Sequence, residues 1–311
     1  MNKNLKVLDG GLGTELSKFG QTVDDHPLWS AYCLFQHRDQ ILNVHKSYLR
    51  SGADILTSAS YQADIEGFKK YLNLTTDRAE ELIMESVRIC RQASEEVMKE
   101  ERVSSKNSPT LVAGSVGPYA VHFADGSEYT GNYIDNITCE ELMEWHRPRF
   151  KCLIQAECDI LALETIPAEK EGIALLKLLK EFPGTKAWLS FCCQDPHLTA
   201  HKEELSKVIE NCLRIAPPDQ LVAVGVNCCP PSYVESLLHD IGHLPPNVVR
   251  IAYPNSGEEW ESKKGWTKQA EETPLSSYVP KWMSLGGCWL GGCCRTTPDD
   301  IKDISKIVHS Y

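Results

Sequence analysis

Short apolar runs alternate with longer stretches of helical periodicity along almost the whole chain. The β-like runs are Lys6–Gly10, Ile55–Ser60, Leu111–Gly117, Ile160–Ile166, Ala187–Cys193, Leu221–Cys228, Val248–Pro254 and Cys288–Cys293. Several are almost uniformly apolar, as strands covered on both faces are. Between them lie helical signals. Ile41, Val44 and Tyr48 keep a three-to-four spacing that Gly52 closes. Asp77 with Glu80, and Thr138 with Glu141, read as capping boxes. A last helix is announced by Thr297, Pro298 and Asp299-Asp300, and Ile301, Ile304 and Val308 form its stripe.

Ala53-Asp54-Ile55-Leu56 and Cys158-Asp159-Ile160-Leu161 repeat the same helix-to-strand joint. Strands alternating with helices imply a parallel sheet, and eight such units imply closure. The expected fold is therefore α/β, a single (β/α)8 barrel, with residues 1–311 forming one domain. A doubly wound open sheet fits less well, because Gly10-Gly11-Leu12-Gly13-Thr14 lacks the last glycine of a dinucleotide-binding turn.

Composition narrows the function. The 32 Lys and Arg stand against 43 Asp and Glu, a net −11 with no basic stripe, so nucleic acid is not an expected partner. No apolar run is long enough to span a membrane, and the first ten residues are too poor in apolar positions for a secretion signal. A cytosolic location is the expectation. There, 13 cysteines are not a disulfide framework, and the odd count cannot pair completely.

In such barrels the chemistry lies at the carboxyl ends of the strands. The sharpest signal there is Gly291-Gly292-Cys293-Cys294-Arg295. Adjacent residues of a strand face opposite sides, so both thiolates reach one metal only if the strand has ended and the chain turns, which the glycines permit. A third thiolate from Cys228, ending the sixth run, leaves one tetrahedral position open, the pattern of a catalytic zinc site. Cys229 is expected to point away and pack. Cys192, Cys193 and Cys288 are alternative fourth ligands, for which a core role is favoured. The carboxylates Asp9 and Glu164 stand at strand ends, where they suit an ammonium ion, and the N–H groups of Gly10-Gly11-Leu12 can receive a carboxylate. Trp29, Tyr61, Tyr129 and Tyr253 are candidates to face a cation. Asn255 and Ser256 are candidate lining residues, and His146 and Arg147 are expected to support a neighbouring loop.

At these residues the chain resembles the homocysteine S-methyltransferase family. The likeness runs nearly end to end, through Leu8-Asp9-Gly10-Gly11, Thr57–Gln62, Ala113–Tyr119, Asp125–Tyr129, His146–Arg149, Gly225-Val226-Asn227-Cys228 and the 291–295 turn. It implies a zinc ion, one per chain, held by Cys228, Cys293 and Cys294. It also implies homocysteine binding by Asp9, Gly10, Gly11, Tyr61, Glu164 and Asn227, with Glu164 accepting from the ammonium group. Ser127, Glu128 and Tyr129 become candidate donor contacts, since 125–129 looks like the branch using S-methylmethionine or S-adenosylmethionine rather than betaine or folate. The implied partners are thus small molecules. A selenocysteine acceptor and a non-catalytic zinc–thiolate sensor are the competing readings, and the oligomeric state is left open.

Overall fold

The computed structural model describes residues 5–20, 26–101, 109–258, 260–261, 265–266 and 273–311. Eight strands make one parallel sheet: β1 (Lys6–Val7), β2 (Ile55–Thr57), β3 (Leu111–Val116), β4 (Ile160–Ile166), β5 (Ala187–Phe191), β6 (Leu221–Asn227), β7 (Val249–Tyr253) and β8 (Gly287–Leu290). Neighbours run in sequence from β2 to β8, and β8 pairs with β1. The seam between β1 and β2 is closed by a single parallel bridge, Leu8 to Ile55, where the Asp9 N–H donates to Ile55 O at 3.1 Å. The eight strands thus form a nearly closed (β/α)8 barrel.

At least one helix follows each strand, and those that complete the eight units pack outside: α1 (Arg38–Arg50), α2 (Thr76–Glu101), α3 (Cys139–Gln155), α4 (Glu169–Leu179), α5 (Leu205–Ile215), α6 (Pro231–Asp240), α7 (Val279–Ser284) and α8 (Pro298–Ser310). The capping boxes at Thr138/Glu141 and Thr297/Asp300 are formed. The one expected at Asp77/Glu80 is not where α2 begins. The helix starts at Thr76, and the Thr75 hydroxyl accepts from the Arg78 N–H at 3.3 Å. Threonine two residues upstream satisfies the orphan donors first. Gly52 adopts φ +99° just past α1, as a helix-ending glycine does.

Alternation along each strand sorts the core into two layers. Leu161 and Leu163 face the helices, while Ile160 and Ala162 face the lumen. The lumen is plugged by Leu8, Ile55, Ala113, Trp188, Ala223 and Ile251, packed side chains rather than a pore. One step further along, the same lumen-facing period reaches Thr57, Ser115, Glu164, Ser190, Asn227 and Tyr253, so a polar tier caps an apolar plug. Gly225 is required within this wall, because a Cβ there would lie 1.8 Å from Ile251 O. Among the described residues no helix is long and apolar enough to cross a membrane.

Outside the barrel, His45 on α1 is 1% exposed, its Nε2 is 3.4 Å from Cys90 Sγ on α2, and its Nδ1 has no hydrogen-bond partner. Burial pushes its pKa down to about 4. The folded value lies below the unfolded one, so neutral His45 contributes stability above pH 6.5 that is lost as pH falls toward 4. Relative to His45→Leu, wild-type protein should lose about 3 kcal/mol of unfolding free energy between pH 7 and pH 4. Urea titrations of metal-free protein at several pH values measure this, and a gap that does not change with pH would contradict it.

Candidate active site and metal centre

The parallel register of β6, β7 and β8 brings two distant turns to the same height. Asn227 pairs with Tyr253, and Leu290 pairs with Ala252. Beyond these pairs both outer strands end, and β7 holds them: Cys228 N–H donates to Tyr253 O at 3.2 Å, and Cys293 N–H to Pro254 O at 2.8 Å. Cys228 itself takes φ +51°, a left-handed break that ends the strand at the ligand.

The two glycines before the cysteine pair serve a different purpose from the one expected. Neither has a positive φ; the left-handed residue is Arg295, after the pair. They are small because other chain segments come close: a Cβ on Gly291 would stand 2.7 Å from Leu8 Cβ, just past β1, and one on Gly292 would stand 2.2 Å from Thr296 Oγ1. Gly11 is confined in the same way, with Cys293 O 2.8 Å from its would-be Cβ. Close packing, rather than backbone freedom, sets these positions.

The sulfur atoms of Cys228, Cys293 and Cys294 lie within 4.8 Å of one another, the only such metal-capable group among the described residues. Cys228 Sγ and Cys294 Sγ are 3.7 Å apart. Thiols of Cys293 and Cys294 hydrogen-bond to Cys228 and hold its pKa well below the ordinary range, while that negative sulfur raises both neighbours. Three converging sulfurs are the soft donor set that suits zinc, and they leave a tetrahedral shell incomplete. Cys193, one of the alternative ligands, packs in the core, as does Cys229. Cys192 donates its thiol to Cys228 O at 3.8 Å. The Cys288 side chain lies outside the described residues.

The cavity over this centre is lined by Asp9, Gly10, Gly11, Trp29, Tyr61, Glu128, Tyr129, Glu164 and Tyr253, together with the three cysteines. Asp9 accepts from Thr57 N–H at 2.7 Å and from the Thr57 hydroxyl at 2.9 Å. Glu164 accepts from the hydroxyls of Ser115 and Tyr253. Burial nevertheless pushes both carboxyls up to about 7, so each gains from an arriving cation. Tyr129 places its hydroxyl 3.5 Å from Cys228 Sγ, and Ser127 stands on the same turn beyond the cavity wall.

Asn227, expected among the substrate contacts, is fully buried behind the wall. Its Oδ1 accepts from Thr165 N–H and the Ser190 hydroxyl, each at 2.8 Å. That fixes its amide to donate to Thr165 Oγ1 at 2.8 Å and toward Cys293 Sγ at 3.9 Å. A lumen-facing position one residue before the ligand makes it a strut for the centre. Asn255 similarly turns its Oδ1 to Gly257 N–H at 2.8 Å.

Arg149 closes the His146–Arg149 stretch of the likeness, where no role was attached to it. It is buried and donates to Tyr61 O and Gly117 O, both at 2.9 Å, tying two strand-end loops together under the cavity. His146 beside it holds buried Glu171 at 2.8 Å, and Glu171 in turn accepts from Tyr119 N–H at 2.6 Å. Arg147 pairs on the surface with Glu144 and Glu181.

Residues 6–308 match the homocysteine S-methyltransferase family model. The chain belongs to the homocysteine S-methyltransferase family. It is 40% identical over 317 residues to homocysteine S-methyltransferase 2 of Arabidopsis thaliana, covering 96% of this chain and 92% of that protein. It is 39% identical over 321 residues to a selenocysteine methyltransferase of Astragalus bisulcatus, covering 98% and 92%. The metallated form of the homocysteine methyltransferase MmuM from Escherichia coli superposes with a TM-score of 0.85 at 35% identity, covering 98% of this chain and 97% of that one. As a member of this family the chain is a methyltransferase enzyme that acts on a small molecule, and its three-cysteine cluster can bind a metal ion.

If Asn227 braces the centre, Asn227→Ala should weaken metal binding about 10- to 100-fold, the usual effect of removing a ligand's supporting partner. Cys229→Ala, in the neighbouring core, should leave it unchanged. Chelator competition measures both, and equal affinities for Asn227→Ala and wild type would remove Asn227 from this role.

Proposed function

We propose that this enzyme transfers a methyl group from a sulfonium donor, S-methylmethionine first and S-adenosylmethionine second, to the thiol of homocysteine, giving methionine. On this reading residues 1–311 act as one homocysteine-binding barrel domain with one zinc per chain. The convergence of Cys228, Cys293 and Cys294 at the floor of an acidic cavity carries the proposal.

The chemical need is a thiolate. A free thiol of pKa near 8.5 is only about 3% ionised at pH 7. When bound, zinc supplies a vacant position at which an incoming thiol is held deprotonated. The chain's own groups then orient the amino acid. Asp9 and Glu164, already braced by Thr57 and by Ser115 with Tyr253, receive its ammonium group. The Gly10–Gly11 backbone and Tyr61 line the acceptor's side of the cavity, and Asn227 supports it from behind. Glu128 and Tyr129, on the 127–129 turn, line the same cavity and are assigned to the donor. Attack has to be in line with the departing sulfur, so fixing both substrates contributes much of the rate.

The relative named for selenocysteine favours one second reading, a selenol as acceptor. It needs the same centre and differs only in the acceptor's size and acidity.

The decisive measurement is methionine formation by metal-replete protein with S-methylmethionine, S-adenosylmethionine or betaine as donor and homocysteine or selenocysteine as acceptor. Product is expected with the sulfonium donors, and its loss in Cys228→Ser together with loss of bound zinc. X-ray absorption should show one more sulfur around the metal when homocysteine is added. No product with any sulfonium donor refutes the function, and a zinc shell that already holds four protein sulfurs and ignores homocysteine supports a non-catalytic zinc–thiolate protein instead.

A further inference from the structure

The cavity wall carries three carboxylates, and two of them are braced. Asp9 takes two hydrogen bonds from Thr57, and Glu164 takes hydroxyls from Ser115 and Tyr253. Glu128 is different. It lines the same cavity, yet among the described residues no side chain pairs with its carboxylate; the hydrogen bond it takes is from its own backbone. The single basic side chain among the wall residues, Arg295, is bound to Glu258 at 2.7 and 3.3 Å. Nothing described on the wall therefore neutralises Glu128.

Its place is equally specific. Glu128 sits on the 3-10 turn Ser127–Tyr129, whose next residue holds its hydroxyl 3.5 Å from Cys228 Sγ. Trp29, Tyr61 and Tyr129 share the wall with it, three aromatic rings of the kind that face cations. A carboxylate without a counter-ion, aromatic neighbours and proximity to the sulfur centre together describe a receptor for a compact organic cation. Burial pushes the Glu128 carboxyl up to about 7, as expected of a charge site lacking its partner.

We propose that Glu128 recognises the positively charged sulfur of the methyl donor and thereby distinguishes the sulfonium substrate from the thioether it becomes. This rests on the methyl transfer proposed above. In that transfer the bond between the donor sulfur and its methyl carbon breaks, and its electron pair stays on the donor sulfur. A lone pair of the acceptor thiolate forms the new sulfur–carbon bond. The donor's positive charge and the acceptor's negative charge vanish together, leaving two neutral thioethers. Glu128 loses its partner at that moment, so substrate is held and product is released. Because the attraction fades as the transition state is reached, Glu128 contributes to donor binding more than to the chemical step.

Glu128→Gln keeps the shape and removes the charge. On metal-replete full-length protein with saturating homocysteine, the KM for S-methylmethionine should rise about tenfold or more, with the change falling on KM rather than kcat. Inhibition by methionine, which keeps the amino and carboxyl groups but has a neutral sulfur, should not weaken, and the homocysteine KM should not move. Glu128→Asp should recover part of the donor affinity. Unmodified enzyme should bind S-methylmethionine at least about tenfold more tightly than methionine by calorimetry; this arm needs no variant. An unmoved donor KM in a folded Glu128→Gln protein overturns the proposal, as does equal weakening of S-methylmethionine and methionine, which would assign Glu128 to the shared ammonium group. Equal binding of the two by unmodified enzyme overturns it as well. Absence of turnover with every sulfonium donor would instead refute the function itself, and so the two failures are distinct.

Discussion

Everything at this site depends on how β7 holds its two neighbours. Its terminal carbonyls, Tyr253 O and Pro254 O, accept from Cys228 N–H and Cys293 N–H, one from each side. These two bonds fix the height at which both flanking chains leave the sheet. Two residues 66 positions apart then present sulfur within one coordination sphere. The parallel ladder makes that height reproducible, since its evenly spaced bonds allow no slip without reversing every side chain on β6. A metal centre built on strand ends is thereby as rigid as the barrel.

The same geometry manages a costly concentration of charge. Three sulfurs and three carboxylates converge at the barrel mouth, and burying them unpartnered would oppose folding. The structure answers with a tier of short hydroxyl and amide side chains one layer below. Ser190 donates to Asn227 and lies 2.6 Å from the Tyr253 hydroxyl, which also accepts from Trp188 Nε1 at 2.8 Å. This network joins β5, β6 and β7 and passes the orientation of Asn227 to Cys293. Below it the lumen turns wholly apolar. The polar tier thus separates a chemically demanding surface from the plug that stabilises the barrel.

Much of this was legible in the sequence, for identifiable reasons. Strands buried on both faces leave continuous apolar runs, so all eight were visible, though Lys6–Gly10 forms ladder bonds over only its first residues. The three sulfurs were legible because cysteine pairs at strand ends are chemically distinctive. What escaped was whatever depends on pairing across strands. Thr57 braces Asp9 from 48 positions away, and Ser115 braces Glu164 from 49. Only strict counting of lumen-facing positions would have found them. For Asn227, residue type says polar and strand end says mouth, but the structure buries it behind the cavity wall, one residue before the backbone break at Cys228. Arg149 was legible only as part of the His146–Arg149 stretch of the likeness, with no role attached, since its value lies in backbone carbonyls that no sequence pattern marks.

The cavity wall is built from two kinds of chain segment. Asp9, Glu164 and the cysteines stand at strand ends, fixed by ladder bonds and by the tier beneath them. Glu128 and Tyr129 stand on a 3-10 turn in the long connection after β3, tied to the barrel through their neighbours rather than by the sheet. A change of backbone at a strand end disturbs the register that brings the three cysteines together, whereas a connection can be remodelled at little cost to the core. On the assignment proposed above, recognition of the acceptor rests on the sheet and recognition of the donor on this connection.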